Sequence, residues 1–192
     1  MEASPAFTAR MAAAVDDLSG GRLTLGLGAG WQEREHSLFG FDLLDVKSRF
    51  DRFEEGLDVI TRLLRFDQPV SFDGKYFRLR EANLLPNPQR TGGPRILIGG
   101  NGEKRTLSYV ARYADEWNAV LIAPQEFERL NAYLNTLLQK EGRKPEEVRR
   151  TLMTGCIFAG DSLSLEKIVS QRYQNRYAVE TLRQRGIVAA SP

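Results

Sequence analysis

Two glycine-rich turns have residue types suited to holding a ligand. Gly99-Gly100-Asn101-Gly102 follows the apolar run Ile96-Leu97-Ile98 and precedes Glu103-Lys104-Arg105-Thr106. Glycine lets a backbone approach a ligand closely and adopt positive φ. Free N–H groups at the start of a following helix, aided by the helix dipole, favour an anion such as a phosphate. Lys104, Arg105 and Thr106 are candidates for supplementary contacts. The alternative is a tight strand-to-helix turn with no ligand. The turn departs from both common phosphate fingerprints: Glu103 precedes Lys104-Arg105 where a P-loop needs Gly-Lys-Ser/Thr, and Arg105 stands where the dinucleotide pattern needs Gly. Gly26-Leu27-Gly28-Ala29-Gly30-Trp31 is a weaker version, with Trp31 breaking the same pattern. Gly28, Ala29 and Gly30 either admit a ligand or serve local packing.

Few other side chains offer chemistry of their own. His36 is the only histidine and Cys156 the only cysteine. They cannot build a His/Cys zinc site, and a Ser-His-Asp or Cys-His centre would have to use His36. The expected chemistry is therefore that of a bound group, with no metal and no residue assigned as catalytic acid or base. His36 is expected to be a solvated loop residue and Cys156 a small core residue. Trp31 is expected to anchor the core, with a ligand-stacking wall as the alternative. Trp117 carries the same two options, on a strand that should line the same cavity.

The rest of the sequence must position these turns. Its 192 residues are 42% hydrophobic and 27% charged, which excludes a disordered, collagenous or disulfide-scaffold chain. A net charge of +2 is too balanced to argue for nucleic acid or an anionic membrane surface. No apolar run approaches the ~20 residues that span a bilayer. Met1–Arg10 shows no signal peptide, and a single cysteine fits a reducing cytoplasm.

Phe7, Met11, Ala14, Val15 and Leu18 fall at helical spacing and predict a helix over 7–18. A strand over 22–28 follows, then a short helix over 33–39. Phe50, Phe53, Leu57, Ile60 and Leu64 predict a helix over 46–66. Val70-Ser71-Phe72 and Lys75-Tyr76-Phe77 flank Asp73-Gly74, the signal for a two-residue hairpin, and residues 83–94 form a loop. Residues 67–94 therefore form an insertion. Strands over 95–98, 116–122 and 150–158 alternate with helices over 103–113, 124–141 and 164–184. Residues 145–148 form a short helical start. Such alternation predicts an α/β fold with a parallel sheet, either doubly wound or a (β/α)8 barrel, and a ligand at the carboxyl ends of the strands.

Several blocks together carry a resemblance. They are Asp17-Leu18-Ser19-Gly20-Gly21-Arg22, Leu25–Trp31, Arg49-Phe50-Asp51-Arg52, Phe72–Phe77, Leu85–Arg90, Ile96–Gly102, Arg105-Thr106-Leu107 and Ala111–Asn118. The series resembles the bacterial luciferase-like monooxygenase superfamily, most closely its branch dependent on the deazaflavin coenzyme F420. The resemblance is specific from Phe7 to Asn118 and looser beyond Pro124.

The resemblance implies a partial TIM (β/α)8 barrel of the luciferase-like type, with about four parallel strands, flanking helices and the hairpin insertion. It implies coenzyme F420 or FMN as cofactor, a small-molecule substrate and oxidoreductase chemistry. Gly99, Gly100, Asn101 and Gly102 would cradle the cofactor phosphate. Gly28, Ala29 and Gly30 would approach its ring system or ribityl chain. Sugar-phosphate dehydrogenases of the superfamily carry an acidic residue where Trp31 stands, so their catalytic acid and substrate are not carried over.

The first helix and first strand here match the family's third and fourth. The chain is therefore expected to be one luciferase-like domain over 1–192, incomplete at both ends, with its parent protein as the enzyme. The alternatives are a non-catalytic homologue that oligomerises through exposed sheet edges, and a small α/β phosphate-binding module.

Overall fold

The computed structural model describes residues 4–192. The sequence reading of Met1–Arg10 falls partly on residues 1–3, which lie outside the described residues. The elements run α1 (Pro5–Leu18), β1 (Thr24–Leu27), α2 (Glu33–Phe39), α3 (Val46–Arg65), β2 (Val70–Asp73), β3 (Arg78–Ala82), β4 (Arg95–Gly99), α4 (Thr106–Tyr113), β5 (Glu116–Val120), α5 (Pro124–Lys140), a 3-10 turn (Pro145–Glu147), β6 (Arg149–Met153), β7 (Cys156–Phe158), α6 (Ser162–Tyr173), α7 (Val179–Gln184) and β8 (Val188–Ala190). Among the described residues, one sheet has the open strand order β1-β4-β5-β6, with pairs β2-β3 and β7-β8 apart from it. The fold is α/β with a parallel sheet and flanking helices, as expected. Contacts divide the chain into one unit of Met1–Ile98 with Tyr109–Glu116, and another of Gly99–Ser108 with Trp117–Pro192.

In the first unit, α3 supplies the longest apolar face. Asp45 caps it, accepting from the N–H groups of Lys47 (2.9 Å) and Ser48 (3.1 Å). Phe53, Leu57, Ile60 and Leu64 are buried as their spacing predicts. Each such side chain contributes about 1.5–3 kcal/mol by leaving water.

Helix α1 buries its small residues and leaves its large apolar ones exposed. Its buried residues are Pro5, Ala9, Ala12, Ala13 and Asp16, while Phe7, Met11, Val15 and Leu18 are exposed. Small alanines let two helices approach closely, so the alanine face, rather than the bulky one, is buried inside the unit.

Strand β1 pairs with β4 in parallel from Thr24↔Arg95 to Leu27↔Ile98. The two strands therefore leave their ladder at the same level, at their carboxyl ends. Asp115 extends β4's bonding: its N–H donates to the Ile96 carbonyl, and its carboxylate accepts from the Ile96 N–H, both at 2.8 Å.

The hairpin differs from the two-residue form. Asp73 pairs with Arg78, so Gly74–Phe77 is a four-residue connection and Lys75-Tyr76-Phe77 is not strand. The Glu55 carboxylate accepts from the N–H groups of Lys75 (2.9 Å), Tyr76 (2.8 Å) and Phe77 (3.3 Å). A side chain twenty residues away thus takes the place of a second ladder.

In the second unit, the single strand expected over 150–158 is two strands. Thr154 and Gly155 are turned aside by Gly186 and Val188: the Thr154 hydroxyl donates to the Gly186 carbonyl, and the Val188 N–H to the Gly155 carbonyl. This sends β7 into a parallel pair with β8, from Cys156↔Val188 to Phe158↔Ala190. Ile157, Leu165, Val169, Leu182 and Ala189 form the buried cluster beneath that pair. Strand β5 leads into α5, whose Leu130, Leu134 and Leu138 are buried.

Candidate functional site

The turn after β4 has a geometry not readable from its glycines alone. Gly100 adopts φ +122, and a Cβ there would lie 3.4 Å from Thr106 Cγ2. A Cβ on Gly102 would lie 3.0 Å from Thr106 Oγ1. The Thr106 side chain is buried, so Gly102 is held to glycine by packing, whereas Gly100 is held by its positive-φ backbone. Gly99 is under no such demand: its Cβ would make an ordinary 3.8 Å contact with the Asn118 carbonyl.

Helix α4 begins at Thr106 rather than at Glu103. Residues 103–105 form a turn instead, closed by the Leu107 N–H donating to the Gly102 carbonyl at 3.0 Å. The glycine turn is thus a loop of its own and not the first turn of the helix.

Its internal hydrogen bonds decide which groups remain for a ligand. The Gly100 N–H donates to the Asn118 carbonyl (2.9 Å), and the Gly100 carbonyl accepts from Trp117 Nε1 (2.9 Å). The Asn101 amide is also consumed: Nδ2 donates to the Val120 carbonyl (2.7 Å), and Oδ1 accepts from the Val120 N–H (2.9 Å). Gly100's backbone and Asn101's side chain are therefore structural. Among the described residues, the N–H groups of Asn101, Gly102 and Glu103 make no hydrogen bond. They are three successive donors on a partly exposed loop.

The acid next to this loop is neutralised. Arg129 donates to the Glu103 carboxylate at 2.7 Å and to Glu126 at 2.7 Å. The Arg129 hydrogen bond holds the Glu103 carboxyl below its usual range, and likewise that of Glu126.

Gly28, Ala29 and Gly30 follow β1 in the first unit. Gly30 has φ +82. Gly28 has no positive φ, and a Cβ there would meet nothing within 4 Å. Neither backbone nor packing demands glycine at that position.

Three side chains depart from expectation, and a fourth, Trp117, is decided between its two options. Trp31 is exposed rather than anchoring the core. Trp117 takes the core option: it is fully buried and stacks on Phe127 with ring centroids 5.3 Å apart. His36 is buried within α2, its Nδ1 2.7 Å from the Gln32 carbonyl, rather than solvated in a loop. Cys156 is exposed, because β7 presents only Ile157 to its core. Among the described residues, no cluster of His, Cys, Asp or Glu could hold a metal ion, and no helix is long and apolar enough to cross a membrane.

Residues 2–185 match the luciferase-like monooxygenase family, and the chain belongs to that family. It is 30% identical over 154 residues to the pyrimidine monooxygenase RutA of Agrobacterium fabrum, a match covering 78% of this chain and 41% of that protein. It is 29% identical over 114 residues to the FMNH(2)-dependent dimethylsulfone monooxygenase of Pseudomonas putida, covering 59% of this chain and 31% of that one. The matches thus span less than half the length of these relatives. Among solved structures, an F420-dependent secondary alcohol dehydrogenase in complex with an F420-acetone adduct superposes with a TM-score of 0.81 at 21% identity. That likeness of fold covers all of this chain and 63% of the other.

Proposed function

We propose that this chain carries the phosphate-holding part of a flavin- or deazaflavin-dependent oxidoreductase, with FMN or coenzyme F420 as the group held. The observation that carries this reading is the row of unengaged N–H groups at Asn101, Gly102 and Glu103, on a loop shaped by Gly100 and Gly102. Three successive amide donors suit the oxygens of a phosphate without a dedicated charged side chain. Lys104, exposed beside them, adds positive charge. The family membership and the cofactors named for the relatives point to the same two groups.

When bound, a flavin supplies oxygen insertion and a deazaflavin supplies hydride transfer. The chain's own part is to bind and orient. Gly28, which lacks a side chain for no internal reason, is proposed separately as a point of close approach in the first unit.

Fluorescence titration of the chain with FMN, riboflavin and coenzyme F420 tests the reading. FMN should bind at least tenfold more tightly than riboflavin, which has the same ring and ribityl chain but no phosphate. Equal affinities for FMN and riboflavin would overturn it.

A further inference from the structure

The geometry points to Trp117 and Asn101 as positioning residues that set the Gly99–Gly102 loop before any ligand arrives. This rests on the loop's proposed role as phosphate holder.

Four hydrogen bonds tie two consecutive loop residues to one strand. Trp117 Nε1 holds the Gly100 carbonyl, and the Asn118 carbonyl holds the Gly100 N–H. The Asn101 amide then grips both backbone groups of Val120. Residues 117, 118 and 120 all lie in β5, so the strand serves as a template along which the loop is laid.

The bonds also sort the loop's donors. A buried indole N–H requires an acceptor, and the Gly100 carbonyl is the one supplied. With that carbonyl fixed, its peptide unit cannot turn over without leaving the indole N–H unpaired in a dry site. The Asn101 N–H, in the same peptide unit as the Gly100 carbonyl, is thereby kept out of the internal network, and those of Gly102 and Glu103 follow it on the loop. Donors fixed before binding save the ordering cost that a floppy glycine loop would otherwise incur. Stacking on Phe127 fixes the indole itself. Arg129, paired to Glu103, removes the nearest negative charge from the loop.

The test uses the whole chain and two variants. Trp117→Phe keeps an aromatic ring over Phe127 but deletes the N–H, and Asn101→Ala deletes the grip on Val120. Each variant is titrated with FMN and with riboflavin. The expected result is about a tenfold loss of FMN affinity with riboflavin affinity unchanged. A merely structural role would weaken both ligands together, and that outcome, or no change in either, overturns the proposal.

Amide hydrogen exchange in the ligand-free chain gives an independent second readout. Gly100 should exchange faster in Trp117→Phe, and Val120 faster in Asn101→Ala, with α5 amides unaltered. Unchanged exchange at both sites overturns the positioning role whatever the ligand data show. Equal wild-type affinity for FMN and riboflavin would instead overturn the phosphate reading and leave the exchange measurement to decide this one.

Discussion

Arg90 forks the fully buried carboxylate of Asp16, with Nε 2.9 Å from Oδ2 and Nη2 3.0 Å from Oδ1. The same carboxylate accepts from the Leu23 N–H, and the same guanidinium donates to the Leu23 carbonyl. One ion pair thus joins the end of α1, the approach to β1 and the loop before β4. Removing one partner of a buried pair leaves an uncompensated charge, which costs about 3–5 kcal/mol. Arg90→Met should lower the stability of the chain by that order in urea unfolding. A loss below about 1 kcal/mol would show that water reaches Asp16 freely.

Two glycines with similar φ should respond very differently to a methyl group. At Gly186, φ is +81 and a Cβ would fall only 2.0 Å from the Ile122 carbonyl oxygen. At Gly142, φ is +70 and nothing lies within 4 Å. Gly142→Ala should cost about 1–2 kcal/mol, the left-handed backbone penalty alone. Gly186→Ala adds an overpacking cost of about 1–3 kcal/mol to that penalty. Equal melting temperatures for the two variants would contradict the close approach at Ile122.

The Glu103–Arg129–Glu126 link predicts an acid-sensitive contact. Both carboxyl pKa values lie below the ordinary 4.5, so the folded state holds fewer protons than the unfolded one as the pH falls through that range. The contribution is fully present above about pH 4.5 and is lost as the pH falls through the lowered folded values. NMR titration of the side-chain carboxyl carbons should show both midpoints below 4.5 in the native chain. In Arg129→Gln both should rise towards it. Midpoints that ignore the substitution would remove Arg129 as the cause.

The exposed stripe on α1 should tolerate charge. Met11 and Val15 are 51% and 46% exposed, whereas Ala9 and Ala12 are buried. Met11→Lys with Val15→Glu should change stability by no more than about 0.5 kcal/mol per site. It should also reduce binding of a hydrophobic dye. Ala12→Leu should cost about 1–3 kcal/mol by overpacking the alanine face. Comparable destabilisation by both would mean that the bulky face is not exposed in solution.

The legibility of these features in the sequence follows their physics. Helix α3 was readable because its large apolar residues are also its buried ones. Helix α1 was readable as a helix but not in its orientation, since counting bulky residues gives no weight to close packing by Ala9, Ala12 and Ala13. The break between β6 and β7 depends on pairing with residues 188–190, some thirty positions on, and leaves no mark in the local pattern. The glycines located the loop after β4. They could not reveal that Asn101 faces Val120 instead of a ligand, because an amide suits either partner equally well. Trp117, left between two roles, turns out to serve the loop from within the core. A donor-bearing aromatic in the strand after a glycine turn was the available signal.

The clasp of Asn101 on Val120 has a consequence for engineering. The final rung of β5 is formed by a side chain from the loop, so loop and strand behave as one mechanical part. Transplanting Gly99–Gly102 alone into another scaffold would leave its carbonyls and amides to find new partners. A workable graft would have to bring Trp117, Asn118 and Val120 with it, making the smallest portable version a pair of adjacent segments and not a four-residue motif.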